Sequence, residues 1–119
     1  MTAGKAIIRA DRSKYGNIKT TSHGITFDSK KEALRYNDLL LLARVGKISD
    51  LERQVMFKLI PAFGDERGVS YRADFVYKED GRTVIEDVKS EATRKDKIYI
   101  LKRKLFKWRY PEYVFREFY

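Results

Sequence analysis

The chain has 119 residues, enough for one domain with a real core and too few for two. A hydrophobic fraction of 43% with 13% aromatics fits a folded globule, and the lack of cysteine excludes disulfides and thiolate zinc sites. A net charge of +9 points to a phosphate-bearing polyanion as partner, since lysine and arginine contacts to phosphate release condensed counterions. His23 is the only histidine, so histidine-cluster metal sites are excluded. The longest apolar run, Leu39 to Ala43, is too short to span a membrane, and no charged-then-apolar leader opens the chain. The expectation is a cytoplasmic protein with no membrane contact and no organic cofactor.

Taken in chain order, residues 1–24 are basic and glycine-punctuated, an N-terminal arm with a short strand at Ala6 to Arg9 as its candidate element. Residues 25–119 form the domain. Residues 1–22 carry Lys5, Arg9, Arg12, Lys14 and Lys19 against Asp11, a net of +4. Ser29 begins a helix that Gly46 ends, with Glu32 placed to complete a capping box and Ala33, Leu34, Leu40, Leu41 and Val45 as its apolar residues. Gln54 to Ile60 reads as a strand closed by Pro61. Residues 69–77 alternate, with Tyr71, Ala73, Phe75 and Tyr77 on one face and Arg72, Asp74 and Val76 on the other. Asp80-Gly81 is hairpin-turn chemistry, and Thr83 to Lys89 is the returning strand. Residues 92–109 form a second helix with Ile98, Leu101, Leu105 and Trp108 as its buried stripe, ended by Pro111. Tyr113 to Phe118 is the last strand. Residues 89–109 hold nine lysines and arginines against Glu91 and Asp96, a net of +7, so Lys95, Lys102 and Arg103 join the basic arm as candidate phosphate contacts.

Strand alternation puts Asp87 and Lys89 on one face and Glu86 on the other. Asp74, on the preceding strand of the hairpin, comes close enough for its carboxylate to meet that of Asp87. Two adjacent carboxylates stay ionised most readily with a divalent cation between them, and all-oxygen ligation selects Mg²⁺ or Mn²⁺. Lys89 adds a positive charge suited to an attacking hydroxide or a developing phosphorane. The competing reading is a surface ion-pair ladder, Asp74 with Lys89 and Arg72 with Asp87.

Asp74, followed after a hairpin by Asp87-Val88-Lys89, resembles the signature of the PD-(D/E)xK (restriction-endonuclease-like) nuclease superfamily. Ala73 stands where the signature has proline. Lys14-Tyr15-Gly16-Asn17, the run Gly24 to Ser29, Glu32-Ala33 and Glu86-Asp87-Val88-Lys89 look like a small phage and prophage family assigned to that superfamily. Its broader relatives include transposon-end and phage junction-resolving endonucleases. The resemblance covers residues 25–118. It implies an α/β fold with an αβββαβ core, a central mixed sheet flanked by helices. It implies that Asp74 and Asp87 bind Mg²⁺, that the Val88 carbonyl joins the shell, and that Lys89 orients the water. Glu32 would add a metal contact, although a helix cap accounts for it equally well. Gln54 would stand where relatives often carry a glutamine, near the DNA.

The function so implied is a metal-dependent DNA endonuclease acting on double-stranded or branched DNA, Holliday junctions included, in the host cytoplasm if phage-encoded. One domain offers one centre and cuts one strand, so a homodimer is expected. The alternative is a non-catalytic nucleic-acid-binding module that keeps the fold. The intact set of Asp74, Asp87 and Lys89 argues against it.

Overall fold

The computed structural model describes residues 20–22, 24–27 and 29–119. The chain order is β1 (Thr20–Ser22), β2 (Ile25–Phe27), α1 (Lys30–Arg44), β3 (Ser49–Ile60), β4 (Val69–Glu79), β5 (Arg82–Val88), α2 (Glu91–Arg94), α3 (Lys97–Arg109) and β6 (Val114–Phe118). The four-stranded sheet has the order β3-β4-β5-β6; the first two pairings are antiparallel and β5–β6 is parallel. The expected mixed sheet flanked by helices is therefore present. A two-stranded β1–β2 hairpin precedes it, and the expected boundary between residues 24 and 25 falls inside that hairpin. The short strand expected at Ala6 to Arg9 lies outside the described residues.

Local chemistry accounts for the element ends. Ser29 Oγ accepts from the Glu32 amide at 3.1 Å, capping α1 as its sequence predicts. The helix closes in a Schellman motif, with Gly46 N–H donating to Ala43 O and Lys47 N–H to Leu42 O. Gly46 has φ +79, which only glycine adopts without strain. At the β4–β5 hairpin Asp80 and Gly81 both have positive φ, as the tight turn of a right-twisted ribbon requires.

Two cores lie on opposite faces of the sheet. On the α1 face, Tyr36 and Leu39 pack with Ile25 and Phe27 of the hairpin and with Phe75, Tyr77 and Val84. Their centre is an aromatic run, Phe27 to Tyr36 at 5.3 Å and Tyr36 to Phe75 at 5.9 Å. On the α3 face, Phe106 lies among Phe57, Tyr71 and Phe115, with centroids 5.1–5.6 Å away. Each such aromatic pair adds about 0.5–1.5 kcal/mol beyond area burial.

The structure corrects the sequence reading at several places: β3 begins at Ser49, ahead of the expected Gln54, and Leu34, Leu41 and Val45 of the expected apolar face of α1 are exposed. The predicted β4 face is split: Tyr71 and Ala73 join the α3 core, whereas Phe75 and Tyr77 join the α1 core. The alternation reverses at Asp74. Opposite it, between the pairs Arg53↔Phe75 and Val55↔Ala73, lies Gln54, whose φ of +55 is left-handed and breaks the pleat of β3. The second helix is also two helices. Asp96 Oδ1 accepts from Ile98 N–H at 2.8 Å and starts α3 afresh, and Ser90 caps α2 in a capping box with Thr93. The stripe expected to be buried is largely exposed, Ile98 by 68%, Leu101 by 58% and Trp108 by 77%. Tyr99 and Phe106 face the sheet instead.

Candidate functional site

The site forms where β4 and β5 part. Their pairing ends at Phe75↔Glu86. One step further, the Val88 N–H donates to Asp74 Oδ2 at 2.7 Å, so a side chain takes over from the backbone ladder. This holds the Asp74 carboxylate against β5, on which Asp87 is buried with only 3% of its surface exposed. Lys89 Nζ lies 3.0 Å from Asp87 Oδ2 in an ion pair and 3.8 Å from the centroid of the Tyr99 ring. The aromatic face is a favourable floor for an ammonium group. Of the competing ion pairs, Lys89 joins Asp87 and not Asp74.

Burial pushes the Asp74 carboxyl well above its ordinary range, reinforced by a shared hydrogen bond with Asp87 and by the charges of Asp87 and Glu32. The Val88 amide opposes the shift. Burial likewise raises the Tyr71 phenol, and the neighbouring Asp87 adds to it.

Glu32 enters from α1, 4% exposed. Its Oε2 accepts from the Gln54 amide at 2.8 Å and lies 3.9 Å from the Arg53 guanidinium. The carboxylate thus points to β3, where its charge is felt by Asp74. Nearby, Lys31 Nζ donates to the Lys89 carbonyl at 3.2 Å, tying the start of α1 to the end of β5.

The reverse side of β5 is clamped. Arg35 donates to both Glu86 oxygens, at 2.6 and 2.9 Å, and Tyr77 Oη donates to Oε1 at 2.8 Å. Burial and the Glu86 charge push the Tyr77 phenol up to about 12. Asp87 and Glu86 therefore face opposite ways, as alternation predicts. Sequence reasoning did not single out Arg35, Arg53, Tyr71 or Tyr99. An arginine one turn along α1 from Glu32 was the only available signal for Arg35, and the aromatics read simply as core.

The remaining candidates are spread out. Arg72 is exposed on β4, Lys95 is exposed at the end of α2, and Lys102 is half-buried on α3. Arg103 is turned to Glu117, 3.5 Å away. Lys5, Arg9, Arg12, Lys14 and Lys19 lie outside the described residues. Among the described residues no three His, Cys, Asp or Glu side chains converge closely enough to hold a metal ion by themselves, and no helix is long and apolar enough to cross a membrane. The acidic pair still fits a hard divalent cation. Its donors are all oxygen, and Asp74 is disfavoured as an anion where it stands.

No curated protein matches the chain. The family model described as "Protein of unknown function (DUF1064)" matches residues 12–117, a span that contains Glu32, Gln54, Asp74, Asp87 and Lys89. With the match running over nearly its whole length, the chain belongs to the DUF1064 family.

Proposed function

We propose that the chain is a Mg²⁺-dependent DNA endonuclease with the restriction-endonuclease-like core and the PD-(D/E)xK arrangement of residues. The observation that carries this reading is the meeting of Asp74 and Asp87 at the β4–β5 divergence with Lys89 beside them. Asp74, Asp87 and the Val88 carbonyl would hold the ion, with Glu32 behind them. When bound, Mg²⁺ supplies charge stabilisation and acidifies a water.

The chain's own groups do the rest. Lys89 is held between Asp87 and the Tyr99 ring, so its ammonium is oriented before substrate arrives and can donate to the attacking water or to a non-bridging phosphate oxygen. The water oxygen bonds to phosphorus as the bond to the leaving sugar oxygen breaks; the water's proton passes to solvent, and the leaving oxygen takes a proton from solvent to become a hydroxyl. Val88 keeps Asp74 in place through its amide. A net charge of +9 supplies non-specific affinity for the backbone. One centre per chain makes cutting both strands the work of two copies, which sedimentation of the protein with DNA can test.

The deciding experiment compares linear, flapped and four-way DNA with Mg²⁺, Mn²⁺ or EDTA. Metal-dependent cleavage that Asp87→Ala and Lys89→Ala abolish, with DNA binding retained, is the expected result. Binding without cleavage by the parent would leave a non-catalytic module with this fold.

A further inference from the structure

A pocket of about 220 Å³ is lined by Thr26 of β2, Arg53 and Gln54 of β3 and Arg72 of β4. These lining side chains offer guanidinium, amide and hydroxyl groups and no carboxylate. Gln54 joins the pocket to the site: it faces Asp74 across the sheet and its amide donates to Glu32. Arg53 is already in place. Its guanidinium lies over the Phe27 ring, 4.5 Å from the centroid, its side chain is 17% exposed, and its Nε is buried with no hydrogen-bond partner. Thr26 Oγ1 is tied to Thr21 Oγ1 at 3.1 Å, which steadies the hairpin wall.

We propose that this pocket is a phosphate subsite that takes a phosphate group of the bound DNA strand other than the one at Asp74 and Asp87. The inference rests on the endonuclease reading and names how that site grips its substrate. A planar guanidinium matches a phosphate through paired N–H donors, and an arginine ordered beforehand loses little freedom on binding. Neutral donors from Thr26 and Gln54 suit the remaining phosphate oxygens. The left-handed backbone at Gln54 serves this arrangement, because it lets one residue of β3 address both Glu32 and the pocket.

The test measures binding of a labelled DNA duplex in EDTA across a salt series, for the full chain and for Arg72→Gln, Thr26→Val and Lys78→Gln. Arg72 and Thr26 are exposed, so both variants should stay folded at the assay temperature, with Thr26→Val melting somewhat lower for want of its bond to Thr21. Arg72→Gln should weaken binding about tenfold and flatten the log–log salt slope by about one unit, while Lys78→Gln, an exposed lysine outside the pocket, leaves the slope unchanged. Thr26→Val should weaken binding without altering the slope. An unchanged slope in Arg72→Gln, or an equal loss in Lys78→Gln, overturns the subsite. Inorganic phosphate alone should shift the Thr26 and Arg53 amide resonances only weakly, and the duplex should displace it. Saturation by micromolar phosphate would assign the pocket to a free anion and overturn the strand assignment. Since binding is read without metal, a parent that binds through Arg72 but never cuts DNA removes only the endonuclease reading. A parent that cuts DNA with an indifferent Arg72 removes only the subsite.

Discussion

Asp74 Oδ2 receives the Val88 amide hydrogen across 2.7 Å at the place where β4 and β5 cease to pair. That bond needs an acceptor and not a charge, so asparagine can keep the strands joined while removing the carboxylate. The two demands on Asp74 are therefore separable by experiment.

The first separation is by pH. Burial and the neighbouring carboxylates hold the Asp74 pKa above its unfolded value of about 3.9. A raised folded pKa gives stability that is complete below the unfolded pKa and lost as pH rises through the folded one. Without metal, the melting temperature of the parent should fall, more than that of Asp74→Asn, as pH rises from about 4 towards the raised folded pKa. Parallel pH curves for the two proteins would show that Asp74 carries no such penalty.

Metal should reverse that penalty. Mn²⁺ or Mg²⁺ binds the folded acidic pair and scarcely the unfolded chain, so a concentration about a hundredfold above Kd stabilises by about 2.7 kcal/mol. Thermal melts should show this rise in the parent and none in Asp74→Asn/Asp87→Asn. A parent indifferent to millimolar Mn²⁺ counts against the metal centre.

Ser29 and Glu32 divide what one sequence motif had joined. Ser29 caps α1, and the Glu32 carboxylate is engaged by Gln54. Ser29→Ala should cost about 1 kcal/mol of stability with little effect on turnover. Glu32→Gln keeps an acceptor for Gln54 but loses the charge. It should melt near the parent without metal and cut at least about tenfold more slowly, a loss of about 1.4 kcal/mol in the transition state. Unchanged cleavage by Glu32→Gln would reduce the centre to Asp74, Asp87 and Lys89.

On the opposite face, Glu86 is 1% exposed and bound by Arg35 and Tyr77. Arg35→Ala leaves that carboxylate buried beside Tyr77 alone and should cost about 3–5 kcal/mol, read from denaturant unfolding. A loss below 1 kcal/mol, roughly the level of a surface pair, would mean that the clamp contributes little.

The strand carrying Asp87 was legible because alternation over Arg82–Val88 is unbroken, which separates Glu86 from Asp87. Asp80-Gly81 fixed the hairpin, and Ser29 with Gly46 fixed α1. The reversal at Asp74 was hidden because glutamine does not announce a left-handed residue, as glycine or asparagine can. The face of α3 was hidden because its sequence holds two candidate stripes. The aliphatic one beginning at Ile98 has the clearer spacing. Tyr99 and Phe106, with Tyr110 just beyond the helix, offer larger rings and meet Phe57, Tyr71 and Phe115 on the sheet. The Asp96 cap was visible in type, but an unbroken helical pattern had concealed it.

The outward turn of Trp108, the chain's one tryptophan, has a practical consequence for spectroscopy. An indole already in water emits at long wavelength in the folded chain, so denaturation should move its emission very little. Folding is better followed by the near-ultraviolet dichroism of the tyrosines packed around Phe106. A quenching or blue shift of Trp108 when DNA is added then reports contact at α3, free of any signal from unfolding.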